Sequence, residues 1–100
     1  MVSSYEEWLD DRLGKPVLWS KHAAVTAVTR NIYNEDVKDA ILFGDITNKD
    51  SSEKVLKITV EKQLHDPQYE SIVIVYLDLP SHFYVISNHF HKRKRGGTDA

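Results

Sequence analysis

Cysteine is absent from these 100 residues, so disulfides, thiolate nucleophiles and cysteine-held zinc are excluded and stability has to come from packing. Proline (three) and glycine (four) are scarce, which gives each of them weight as punctuation. No apolar run approaches the roughly 20 residues needed to span a bilayer. The first residues, Met1-Val2-Ser3-Ser4-Tyr5-Glu6-Glu7, are acidic where an export signal would be basic and then apolar. A soluble cytoplasmic protein is expected. Hydrophobic residues make up 41% and charged residues 28% of the chain, ordinary globular proportions, and a chain this short is expected to surround one core.

The charge is unevenly spread. The net value of −2 conceals Lys92, Arg93, Lys94 and Arg95, which give the last nine residues +3 and leave −5 on Met1 to His91. Broad sequence-independent nucleic-acid binding needs many cations against phosphate, so any such contact in this acidic body is expected to be local. Glu6, Glu7, Asp10 and Asp11 cluster early and can solvate one face or repel a polyanion from it. The expected organisation is one α+β domain over residues 1–92, with residues 1–14 an additional N-terminal helix and 93–100 a disordered basic tail.

Ser4 and Glu7 fit a capping box, and Tyr5, Trp8, Leu9 and Leu13 give an apolar stripe ending at Gly14, which predicts a first helix from Tyr5 to Leu13. Pro16 enforces an extended connection, and Ser20 is the expected N-cap of a second helix from Lys21 to Arg30. Val25, Thr26, Val28 and Thr29 lower its propensity, so packing must hold it. Asn34 is read as the cap of a third helix containing Val37, Ala40 and Ile41, with Gly44 past its end in the left-handed conformation.

From Asp45 the period changes to two. Ile46 opens a short strand and Asn48-Lys49-Asp50-Ser51-Ser52 reads as a turn. Val55 to Leu64 alternates Leu56, Ile58 and Val60 against Lys57, Thr59 and Glu61. After the loop His65-Asp66-Pro67-Gln68, Ile72 to Leu77 is apolar on both faces and therefore central. Phe83 to Phe90 closes the set, with Tyr84, Ile86 and Phe90 on one face and Phe83, Val85, Ser87 and His89 on the other. These connections are too short for crossover helices, so the expectation is two to three N-terminal helices on an antiparallel sheet of three to four strands.

Chemistry-bearing residues gather at two places. His22 and Arg30 are eight apart on the second helix, about 80° from each other around its axis, with Thr26 four from each. Ser87, His89 and His91 alternate along one face of the last strand. Cleavage of RNA by its own 2′-hydroxyl needs a base, an acid and a cation beside the transition state. Imidazole supplies the first two near neutral pH and guanidinium the third. The candidate catalytic set is His22, Arg30, Ser87 and His89, with Lys57, His91, Lys92 and Arg93 as RNA contacts. Plainer readings stand beside this one: a histidine near a helix start often caps or packs, His89 and His91 can decorate a strand end, and a basic tail often only solubilises. His-x-His with His22 is also a metal-ligand spacing, but no nearby carboxylate supplies an obvious partner for the imidazoles, and no metal or cofactor is expected.

The stretches Ser20-Lys21-His22-Ala23, Arg30, Ile32, Glu35-Asp36-Val37, Ala40-Ile41 and Gly44-Asp45-Ile46 resemble a family of small domains related to the RelE-like and BrnT-like ribonuclease toxins. Val73 to Asp78 looks like that family's central strand and Tyr84 to His89 like its closing strand, so the similarity runs from about Leu18 to Lys92. The resemblance implies a toxin-type endoribonuclease using His22, Arg30, Ser87 and His89, partnered by RNA and a cognate antitoxin protein. This chain departs from the ribosome-dependent members, which are strongly basic. The competing expectation is a non-enzymatic interaction domain whose exposed sheet edge or acidic first helix (Tyr5, Trp8) docks a protein; a homodimer through a sheet edge fits either.

Overall fold

The computed structural model describes residues 5–51 and 55–92. Ser4, the Tyr5 side chain, and Arg93 with the rest of the basic tail lie outside the described residues. Helix α1 (Tyr5–Leu13) is followed by strand β1 (Val17–Trp19), helices α2 (Lys21–Arg30) and α3 (Asn34–Phe43), and strands β2 (Asp45–Asp50), β3 (Leu56–Gln63), β4 (Tyr69–Asp78) and β5 (Phe83–Lys92). The class is α+β, with five strands in the order β1-β5-β4-β3-β2.

Two expectations about the sheet need correction. The sheet has five strands, not three to four, and it is mixed: β2 to β5 form an antiparallel meander, but β1 pairs parallel to β5 through Val17↔Phe83, Leu18↔Tyr84 and Trp19↔Val85. β1 also separates α1 from the other helices, so the N-terminal part is not purely helical. A parallel neighbour needs a long return, and the whole of α2 to β4 provides it.

The second helix is capped as expected, Ser20 Oγ accepting from the Ala23 N–H at 3.0 Å. It ends at Asn31, whose left-handed backbone (φ 58°) lets its N–H bond the carbonyls of Ala27 and Val28 and returns Ile32 to the core. Thr26 and Thr29 turn their hydroxyls onto the carbonyls of His22 and Val25, one turn back. The buried face of α2 is only Ala23 and Ala27, small enough for the helix to lie close against β5.

The cap of the third helix falls one residue before Asn34, which is itself the first helical residue. Tyr33 is its extended N-cap, and the Asp36 carboxylate accepts from the Tyr33 N–H at 2.9 Å, while Asn34 Oδ1 accepts from the Trp19 indole. Gly44 is not left-handed, having φ −77° and ψ 172°. Glycine is required there for space: a Cβ would sit 2.6 Å from both the Ala40 carbonyl oxygen and Val60 Cγ2. Gly44→Ala is therefore expected to lower stability by about 1–3 kcal/mol, the usual range for overpacking a tight contact, as a fall in the denaturant midpoint at unchanged m-value.

β2 is wholly exposed, and it includes Asn48, Lys49 and Asp50, read above as a turn. An edge strand with no buried face carries no apolar alternation to betray it; its pairing with β3 is read from the backbone, up to Asp50↔Lys57. Registers place Ile58, Val60, Ile72, Ile74, Tyr76, Phe83 and Val85 on the face that meets α2 and α3, and these are the buried core. β4 is central, as its two apolar faces imply. α1 packs against α3, burying Leu9 completely and placing Lys38 Nζ 2.5 Å from Asp10 Oδ1.

The last correction decides the site. The pairing jumps from Val75↔Ser87 to Tyr76↔Val85, so Ile86 is a bulge with no partner. Phe83 and Val85 face the helices, but after the bulge Asn88 and Phe90 do so, and Ser87, His89 and His91 turn to the other face. The expected grouping of Phe83 and Val85 with Ser87 and His89 is therefore wrong.

Candidate active site at the uncovered edge of β5

β1 pairs with β5 through Phe83–Val85, and among the described residues no strand lies beside the stretch 87–92 on that side. α2 lies against this stretch. Asn88, completely buried, ties the two together: its Nδ2 donates to the Ala23 carbonyl at 3.1 Å, and its own main-chain carbonyl accepts from Arg30 Nη1 at 2.6 Å. One residue thus fixes α2 beside His22 and, two turns on, at Arg30.

Along this seam runs a cavity of about 680 Å3. His22, Thr26 and Arg30 line it from α2, and Ser87, His89 and Lys92 from β5; Tyr69 and Phe90 complete the wall. All four residues assigned a catalytic role from sequence, and Lys92 among the assigned RNA contacts, border one space. The bulge at Ile86 turns Ser87 and His89 away from the core, and the edge position brings them alongside α2.

The other assigned contacts lie elsewhere. Lys57 is exposed on β3 opposite Leu77 and Asp50, toward the far end of the sheet, and does not line the cavity. His91 faces the open side of the sheet, with Nδ1 3.2 Å from Glu61 Oε2; the same carboxylate oxygen accepts from the hydroxyl of fully buried Ser71. Its ring centroid is 5.2 Å from that of His89, and it is not among the residues lining the cavity. Among the described residues, no group of three or more His, Asp or Glu side chains gathers as a metal site would need. His65 is exposed in the β3–β4 loop, and His82, just before β5, shares a hydrogen bond with Ser81.

Burial pushes the His89 imidazole below its usual value near 6.5, the positive charges of His91 and Arg30 add to this, and Glu61 opposes it. The ring is thus disposed to be neutral at pH 7. Between the ordinary value and the lowered folded one, the unfolded chain binds more protons than the native protein. The stability contributed by this group is therefore present above about pH 6.5 and is lost as pH falls through the lowered value. His89→Asn should flatten that part of the stability–pH curve, and an NMR titration should give the native ring a midpoint below that of a free histidine; a midpoint at or above it would contradict the burial argument.

Three participants escaped sequence reading. Asn88 sits in a strand pattern where its burial is visible only once the bulge is known. Tyr69 is set at the start of β4 by the Asp66 carboxylate, which accepts from the N–H groups of Gln68 and Tyr69 at 2.7 and 3.1 Å. Phe90 stacks on Tyr69 with centroids 4.3 Å apart and planes 13° apart. An Asx turn before an aromatic was the available signal for the second.

No protein-family model, no curated protein and no solved structure matches this chain.

Proposed function

We propose that this protein is a metal-independent RNA endonuclease of toxin–antitoxin type. The observation that carries the reading is the cavity shared by two imidazoles and a guanidinium from two different elements, with no carboxylate lining it among the described residues. His89, disposed to be neutral, accepts the proton of the 2′-hydroxyl. That oxygen attacks the adjacent phosphorus, the P–O5′ bond breaks, and His22, as the general acid, supplies the proton to the departing 5′-oxygen. Arg30 holds the non-bridging oxygens as their charge develops, and the Ser87 hydroxyl adds a donor. The products are a 2′,3′-cyclic phosphate and a 5′-hydroxyl, and proton exchange with water restores both rings.

The resemblance to the RelE-like and BrnT-like toxins supports the same reading and adds a neutralising antitoxin protein as partner. The test is incubation of purified protein with unstructured RNA in a chelator. Cleavage leaving cyclic-phosphate ends, and none of DNA of the same sequence, is expected. Absence of RNA cleavage, or cleavage only on addition of a divalent metal, overturns the proposal.

A further inference from the structure

A second cavity, of about 550 Å3, shares Arg30, Asn31, Tyr69 and Phe90 with the first. Its size lies within the range of small-molecule pockets, about 300–1,000 Å3. The chemistry changes across the shared wall. The first cavity has Arg30, Lys92 and two histidines, whereas the second is walled by Asp36, Asp39 and Asp66 together with Lys62. Lys62 Nζ lies 3.2 Å from Asp39 Oδ2 and Asp36 accepts from the Tyr33 N–H, yet the three carboxylates outnumber the fixed cations Lys62 and Arg30 by one, which disfavours a phosphate away from Arg30. A nucleobase is uncharged and flat, and its amine N–H groups are donors that carboxylates accept.

The shared wall suits a flat ring. Tyr69 and Phe90 are already a parallel stack, and the two N–H bonds to Asp66 fix the backbone that carries Tyr69. We propose that the second cavity is a nucleobase subsite, in which an amine-bearing base (cytosine, adenine or guanine) of single-stranded RNA extends the Tyr69–Phe90 stack and donates to the carboxylates, while the neighbouring phosphate lies at Arg30. This rests on the nuclease reading for the placement of that phosphate. Arg30, at the boundary, then sets the register between base and scissile bond, and a duplex, whose bases are stacked on each other, is excluded.

The probe is a short labelled oligodeoxynucleotide, which lacks the attacking hydroxyl and reports binding alone, measured by fluorescence anisotropy on the full chain. Tyr69→Ala is expected to weaken binding of an oligo-dC on the order of 10- to 100-fold, the usual effect of losing one base–aromatic stack, and Tyr69→Phe to restore most of it. An oligomer of deoxyuridine, which has no exocyclic amine, is expected to bind the wild-type protein more weakly than oligo-dC. Unchanged affinity in a folded Tyr69→Ala protein overturns the subsite, as does equal affinity of the wild type for the two oligomers or no binding of either. The second measurement decides the matter if Tyr69→Ala does not fold. RNA cleavage assayed in parallel separates the two ideas: cleavage with Tyr69-independent binding removes only the subsite, and Tyr69-dependent binding without cleavage removes only the nuclease.

Discussion

His22→Ala and His89→Ala are each expected to reduce RNA cleavage by about 100- to 10,000-fold, the range for losing a positioned general acid or base, with little change in melting temperature. Neither side chain is in the core: His22 is exposed and His89 half-buried, so truncation opens no cavity there. The two losses should differ in pH dependence. A base acts in its neutral form, so the wild-type rate should rise with pH through the His89 titration, which burial holds below the ordinary value near 6.5. In His89→Ala that acidic limb should vanish, while in His22→Ala it should persist at a lower rate. Because the rings act as a pair, the double variant should be scarcely worse than the more damaging single one. Two variants that cut as well as wild type would remove both rings from the chemistry and return the cavity to plain surface.

Much of this arrangement was written in local signals. The bounds Tyr5–Leu13 and Lys21–Arg30 follow from a glycine stop and a serine cap, features that act within one turn of chain. The central place of β4 follows from the unbroken apolar run Ile72 to Leu77, which suits a strand flanked by neighbours on both edges. What was hidden depended on distant or absent partners. Val17-Leu18-Trp19 is a strand only because Phe83–Val85 lies beside it, more than sixty residues away in sequence. β2 buries nothing, so its polar residues resemble a turn. Gly44 was expected in the left-handed conformation, but its backbone is extended, and what calls for glycine there is a crowded neighbourhood that no local signal shows.

The bulge at Ile86 has the largest consequence for the site. Alternation along Phe83 to His89 reads without interruption in the sequence, and continued regularly it would place Ser87 and His89 with the core residues. Inserting one unpaired residue puts a small polar group, Asn88, inward to grip α2, and two reactive ones outward at the strand edge. Convergence of His22 and Arg30 with Ser87 and His89 was legible as a residue inventory, but the means of it was not. It comes from an edge left bare by a three-residue β1 and a helix thin enough, through Ala23 and Ala27, to lie along it.

Arg30→Ala is expected to lower turnover by about 100- to 1,000-fold, comparable to removing a donor that stabilises developing charge, and Arg30→Lys to recover only part of the loss because an ammonium keeps the charge but not the planar fork. The competing account is purely structural: Arg30 Nη1 is bonded to the Asn88 carbonyl at 2.6 Å, and on that account the side chain serves only to strap α2 to β5. The two accounts separate by what each measurement reads. A charged hydrogen bond of this kind contributes about 1.5–3 kcal/mol, so losing it shows in the unfolding midpoint, yet well below that midpoint nearly every molecule is still folded. A strap therefore costs stability and leaves the rate per folded molecule alone, whereas a phosphate clamp costs rate whatever happens to stability. Lysine sharpens the contrast, since a single ammonium can satisfy one carbonyl but cannot at the same time present paired donors to a phosphate. If Arg30→Lys and Arg30→Ala both turn over RNA at the wild-type rate per folded molecule, the guanidinium belongs to the scaffold, and the developing charge must be met by Lys92 and Ser87 on the opposite wall.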